Sequence, residues 1–245
     1  MYKLVTVDEQ TCAYEDIMGD GDTVRFFVLD GSDAVLVIDS GYLDLDVKAM
    51  VLRDLPVMFH KEAKQNQNII LANTHGDMDH TGGNSSFDQF YMTREDYERL
   101  HLDQRCPAST CIPAEEGTRI DLGSRLIEYI LTPGHTYGNA ALLDRTNRIL
   151  FPGDIIQTNN MFMFGSHRCP EQMSDSLQKL KSLRNSYDII YACHGNMILP
   201  GGAVDEIIAA WNKVLDKSAP VTEETVMGCD VLMYHCGYCN FYCDR

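Results

Sequence analysis

His75, Asp77, Asp79 and His80 fall within six residues of one another, directly after the apolar run Ile69-Ile70-Leu71-Ala72. Imidazole and carboxylate groups hold divalent cations. Residues two apart on extended or turn-like chain point the same way, so His75, Asp77 and Asp79 can converge while His80 reaches in from the other side. Gly82 and Gly83 then let the backbone turn sharply away. Three later segments repeat the theme of a ligand just after an apolar strand: His135 in TPGHTYGN after RLIEYIL, Asp154 in FPGDII after RILF, and His194 in ACHGN after DIIYA. Seven ligand-type residues at four strand ends are enough for two cations with room for water.

The elements that must position these residues follow from period and punctuation. Residues 2–7, 24–30 and 34–40 read as short strands bounded by DGD and DGSD turn formers, the last two as an antiparallel hairpin. After Gly41 the apolar period becomes helical, through Leu45, Val47, Val51 and Leu55, and Pro56 is expected to end that helix. The buried strand at 69–72 follows. A strand at 90–92, a helix capped by Thr93 and a Cys/Pro-rich loop from Cys106 to Pro113 fill the next stretch, and a long loop there suits a lid. Strands at 125–131, 141–143, 148–151 and 188–192 alternate with helices at 171–183 and 203–215. Sheets covered by helices imply a layered α/β architecture. Residues 1–245 read as one domain with a Cys-rich tail at 228–245, since no repeat or low-complexity linker interrupts them.

Composition narrows the function. A hydrophobic fraction of 44% with 23% charged residues is that of an ordinary globular protein. The net charge of −16, with no Lys/Arg cluster, argues against nucleic acid as a partner and favours a small-molecule substrate. No signal-like start and no apolar run approaching about 18 residues is present, so neither export nor membrane insertion is expected. The nine cysteines then read as reduced thiols of a cytoplasmic protein.

The ordered set HGDMDH, PGHT, PGD and CHG resembles the metallo-β-lactamase superfamily over about residues 24 to 215, including the VLVIDSG segment. The resemblance implies a four-layer αββα sandwich and a dinuclear hydrolase. In that scheme His75, Asp77 and His135 hold one ion, Asp79, His80 and His194 the other, and Asp154 bridges them. Asp79, His80 and Asp154 carry the chemistry, which is attack by a metal-bound hydroxide on an ester, thioester, lactone or phosphoester. Two divalent ions are implied, zinc first, iron or manganese next. The family pattern HxHxDH departs here at Asp77, where histidine is usual. A carboxylate at that position is also similar to the HxExDH of the lactamase-like domain of flavodiiron proteins, so a non-haem diiron oxidoreductase is the alternative. A non-catalytic metal-binding sensor is the third. A true β-lactamase is disfavoured by the missing histidine and lack of an export signal, glyoxalase II by the short region after His194, and tRNA-processing nucleases by the acidic charge.

Around the site, Asp39 is expected to hydrogen-bond the ligand loops, and Cys193 to pack beneath them. Met161, Phe162, Met163 and Phe164 could form an apolar wall over the metals, and Tyr137 could touch substrate. In the tail, Cys229, Cys236, Cys239 and Cys243 with His235 have a metal or redox spacing, weighed against a hairpin turning at 236–239 whose cysteines simply pack.

Overall fold

The computed structural model describes residues 2–19, 21–60, 67–102 and 109–245. The first sheet begins as an antiparallel meander of β1 (Lys3–Asp8), β2 (Thr11–Ile17), β3 (Thr23–Asp30) and β4 (Val35–Ile38). It continues in parallel through β5 (Ile69–Ala72), β6 (Gln89–Met92) and β7 (Thr110–Pro113). The helices on this side are α1 (Val47–Phe59), the single turn α2 (Met78–Thr81) and α3 (Arg94–Leu102). The second sheet takes β8 (Arg119–Asp121), β9 (Leu126–Leu131), β10 (Ala140–Asp144) and β11 (Ile149–Phe151). After β12 (Asn160–Met163) and α4 (Pro170–Ser182), it is completed by β13 (Ile189–Tyr191) and β14 (Ile198–Pro200), with α5 (Ala203–Leu215) following.

Period-two alternation divides the strand residues between layers. Phe27 and Leu29 of β3 and Leu36 and Ile38 of β4 point between the sheets, where they meet Ile127, Tyr129, Leu142 and Phe151. Their neighbours Phe26, Val28, Val35 and Val37 point outward onto Val47, Val51, Leu55 and Met58 of α1. On the far side Leu143, Leu150 and Ile190 pack under Met173, Leu177, Ile207 and Trp211 of α4 and α5. Each such buried side chain contributes roughly 1.5–3 kcal/mol. The result is the expected αββα order. Arg125 and Asp144, both with fully buried side chains, pair at 2.6 Å, and Arg125 Nη1 also donates to the Gln10 carbonyl at 2.6 Å. That contact ties the second sheet to the β1–β2 turn.

Several local expectations are corrected. Pro56 lies inside α1 rather than ending it, because the apolar face continues to a buried Met58 while Pro56 itself is exposed. β2 was not expected: its first residues are buried on both faces, so its pattern does not alternate. Within the stretch 106–113, Thr110–Pro113 is an edge strand, and Cys106 lies outside the described residues. Gly82 has a helical φ of −57°, so its smallness serves packing: a Cβ there would stand 2.5 Å from the Tyr42 carbonyl carbon.

The Cys-rich tail is built into a third sheet. β15 (Val221–Val226), β16 (Cys229–Tyr234) and β17 (Asn240–Asp244) form an antiparallel meander, and β12 joins it parallel to β17. The β16–β17 hairpin turns across 236–239 as the sequence suggests. Cys236 and Cys239 are buried in the core beneath α5, whereas His235 is exposed and meets Thr222 Oγ1 at 2.9 Å. Among the described residues, the tail cysteines and His235 form no ligand cluster.

Candidate metal centre

β9 and β11 both run antiparallel to β10, and β13 runs parallel to β11, so the loops after these three strands emerge at one edge. The loop after β5 arrives there from the first sheet, with Asp77 as the N-cap residue of α2. The seven ligand-type residues therefore meet although they span 120 positions of sequence, from His75 to His194.

The residues form two halves. In one, His80 Nε2 stands 3.3 Å from Asp154 Oδ1 and from His194 Nε2, and 3.6 Å from Asp79 Oδ2. His194 Nε2 is 3.3 Å from Asp79 Oδ2 and 3.4 Å from Asp154 Oδ2. Ligand atoms about 2.0–2.2 Å from a tetrahedral ion stand roughly 3.3–3.6 Å apart, so this half has the edge lengths of a metal site. In the other half, His75 Nε2 and His135 Nε2 lie 3.5 and 3.0 Å from Asp77 Oδ2, and 4.0 and 3.5 Å from Asp154 Oδ2. His75 Nε2 is buried with no hydrogen-bond partner, which a cation would supply. Asp154 faces both halves.

Supporting contacts aim the ligands. Asp39, at φ +63°, accepts from Thr74 N and Thr74 Oγ1 at 2.7 and 2.8 Å and from His80 Nδ1 at 2.8 Å. This bond leaves the Nε2 lone pair of His80 pointing into the site. Thr74 Oγ1 is also 3.0 Å from His75 Nδ1. The sequence reading anticipated Asp39 but not Asp96, which accepts from Gly76 N and Thr136 Oγ1 at 2.7 Å and so fastens the His75 and His135 loops together. Cys193, expected to pack beneath the site, donates its thiol to Asp154 Oδ1 at 3.2 Å and lies close enough to His80, Asp154 and His194 to count among the ligand-type groups of that half. Asp39→Asn replaces one accepting oxygen with an NH2 group, so the three bonds cannot all be kept, and is expected to weaken metal binding about 10–100-fold. A chelator-competition titration reads this, and unchanged affinity would contradict the orienting role.

Charge separates the halves further. Burial works against protonating His80 and His194, but nearby carboxylates outweigh it: Asp154, Asp79 and Asp39 for His80, Asp154, Asp22 and Asp79 for His194. Both imidazoles are raised well above the usual range. His135 moves the opposite way, to about 4, through burial and the neighbouring Arg168 guanidinium. Arg168 Nη1 is 2.8 Å from Asp77 Oδ2, and Arg99 Nη2 is 2.5 Å from Asp77 Oδ1. Despite its burial, Asp77 is held well below the usual carboxylate range by the Arg168 guanidinium and by hydrogen bonds from His135 and His75. Neither arginine was found from the sequence, because a long-range ion pair leaves no local pattern. The one available signal was an acidic loop in need of a compensating cation. Metal binding at His80 and His194 must displace protons, so affinity is expected to fall about tenfold per unit of falling pH for each proton released. Calorimetry in buffers of different ionisation enthalpy counts those protons, and a pH-independent affinity would contradict the assignment.

Above the centre lies a cavity of about 440 Å³, lined by Met18, Met78, Phe162 and Met227 together with Asp79, His135, Asp154, His194 and both arginines. The expected apolar wall is corrected here. Residues 160–163 form a strand, so Met161 and Met163 turn into the core while Phe162 faces the cavity. Phe164 instead packs on Phe162 at 5.8 Å between ring centroids, and Tyr137 is half-exposed outside the lining.

The family model described as the metallo-beta-lactamase superfamily matches residues 19–194. The chain belongs to that superfamily. A hydroxyacylglutathione hydrolase of Nostoc punctiforme is 30% identical over 119 residues, which cover 47% of this chain and 46% of the relative. An acyl-coenzyme A thioesterase of Gallus gallus is 25% identical over 206 residues, covering 72% of this chain and 74% of the relative. The chain thus spans about half the length of the hydroxyacylglutathione hydrolases it matches. Among solved structures, a metallo-beta-lactamase from Pontibacter korlensis aligns with a TM-score of 0.71 at 14% identity, over 86% of this chain and 99% of that one. DIM-1 metallo-beta-lactamase aligns at 0.69 and 18%, over 87% of this chain and 97% of that one. Likeness at this identity establishes the fold.

Proposed function

We propose that this superfamily member is a metal-dependent hydrolase of a small-molecule substrate, with a thioester ahead of an ester, lactone or phosphoester. The observation that carries the reading is the convergence of seven ligand-type side chains under an apolar-walled cavity. The acyl-coenzyme A thioesterase relative, matched over most of its length, supports the thioester class. Fold alone would not, since one fold hosts many chemistries.

In this reading His75, Asp77 and His135 would hold one ion and Asp79, His80 and His194 a second, with Asp154 available to either. Such ions lower the pKa of a bound water from about 15.7 toward about 7 and stabilise developing negative charge. The chain's own groups do the rest. Asp39 keeps a proton on His80 Nδ1. Met18, Met78, Phe162 and Met227 offer the acyl portion an apolar surface, Met78 and Met227 from the exposed rim of the cavity. Asp79, with a side chain 24% exposed, is the most open carboxylate of the set and faces the cavity. The free thiols of Cys12, Cys169, Cys193, Cys236 and Cys239 suit a cytoplasmic setting. Among the described residues, no helix is long and apolar enough to cross a membrane.

Elemental analysis and an absorption spectrum of natively purified protein test the metal. Zinc or manganese without redox-active bands is expected. Two irons with such bands would replace the hydrolase reading by the diiron oxidoreductase suggested by Asp77.

A further inference from the structure

The two halves of the centre differ in what already occupies their ligand atoms. At the Asp77 half both carboxylate oxygens are engaged by guanidinium groups, Oδ1 by Arg99 Nη2 at 2.5 Å and Oδ2 by Arg168 Nη1 at 2.8 Å. The same Arg168 Nη1 stands 3.1 Å from His135 Nε2 and donates to the His135 carbonyl at 3.1 Å. Arginine has donors only, so with the proton on His135 Nδ1 the Nε2 lone pair faces Arg168, and with the proton on Nε2 it donates to Asp77 Oδ2 at 3.0 Å; in both tautomers the position a cation would take at Nε2 is engaged. Both guanidinium groups are nearly buried, with side chains 13% and 11% exposed, so solvent does little to screen them. At the other half, the ion pairs of Asp79 and Asp154 among the described residues are all with histidines and none is with a guanidinium.

We propose that Arg168, backed by Arg99, competes with a divalent cation for Asp77 and His135, so that the two halves bind metal with unequal affinity and Arg168 sets the gap. The inference rests on the reading that the centre holds divalent metal. The His80/Asp154/His194 half fills first. Filling the Asp77 half requires Arg168 to withdraw its donor from His135 Nε2 and to share Asp77 with a dication it repels. Two charge-assisted contacts of ordinary strength put the difference at about tenfold to a thousandfold in dissociation constant. Arg168 is thus a metal-affinity determinant outside the ligand set, and a guanidinium displaced by the second ion would remain at the cavity wall beside the substrate.

The test is a zinc titration of chelator-stripped protein followed by calorimetry, with the bound ratio checked by elemental analysis. The wild type is expected to show a tight first ion and a second at least about tenfold weaker, or one ion only. Arg168→Met should tighten the second step by about tenfold or more and leave the first unchanged, whereas His194→Ala should abolish the first. If Arg168→Met does not fold by circular dichroism, Arg168→Lys, which keeps the charge but loses the planar fork, should give an intermediate gap. Equal affinities in the wild type, or a gap unmoved by folded Arg168 variants, would overturn the proposal while leaving the metallohydrolase reading intact. A wild type that binds no zinc at all would overturn both.

Discussion

Asp154→Ala is expected to reduce turnover by at least about a thousandfold while the chain stays folded. Asp154 is the carboxylate that reaches both halves of the centre: Oδ1 stands 3.3 Å from His80 Nε2, and Oδ2 lies 3.4 to 4.0 Å from His194, His135 and His75. Alanine leaves four imidazoles without their common anion. The two halves then lose the carboxylate that faces both, and His80 and His194 lose the group that most strongly favours their protonated forms. His80→Ala should be comparably damaging, because His80 Nε2 faces Asp79, Asp154 and His194 at once. Steady-state kinetics at saturating metal, with circular dichroism on the same samples, measure this. Near-normal turnover in either folded variant would contradict a shared two-ion centre.

The largest expected loss of stability lies away from the site. Arg125→Ala should destabilise the fold by about 3–5 kcal/mol, because it removes one partner of a fully buried ion pair and leaves the Asp144 charge behind. The loss is compounded by the contacts Arg125 makes with the Gln10 carbonyl and Thr11 Oγ1, which join the two sheets. Asp144 keeps its bonds from the backbone amides of Thr146 and Asn147 at 2.9 Å, so the residual charge is partly satisfied and the lower end of the range is the better expectation. Urea denaturation with a fitted midpoint reads the effect. A shift below about 1 kcal/mol would mean that water reaches Asp144 once the guanidinium is gone.

The residues legible in the sequence were those whose roles depend on local order. Each ligand sits just past an apolar strand, so strand pattern and ligand type lie side by side in the chain. The hairpin of β3 and β4 and the span of α5 were legible for the same reason, although the buried stripe of α5 runs through Val204, Ile207, Trp211 and Val214 and leaves the expected Leu215 exposed. What escaped depends on contacts distant in sequence. β12 pairs with β17 across 80 residues, and only that pairing turns Met161 and Met163 inward and Phe162 toward the cavity. Arg99 and Arg168 lie 22 and 91 positions from the Asp77 they neutralise. Asp96 fastens two ligand loops from a helix with no ligand of its own. The sequence marked Asp77 as the departure from the family pattern. The structure gives that departure a physical setting: a carboxylate replaces an imidazole where two guanidinium groups lie close enough to pair with it.

Hydrolysis is expected to depend on divalent metal held by this set of side chains. The most direct test is turnover of an acyl-thioester, lactone and phosphodiester panel by the native protein, by the same protein stripped with chelator, and after metal is restored. Hydrolysis of at least one class, lost on stripping and recovered with zinc or manganese, is the predicted result. Hydrolysis that persists undiminished in the metal-free protein would contradict it.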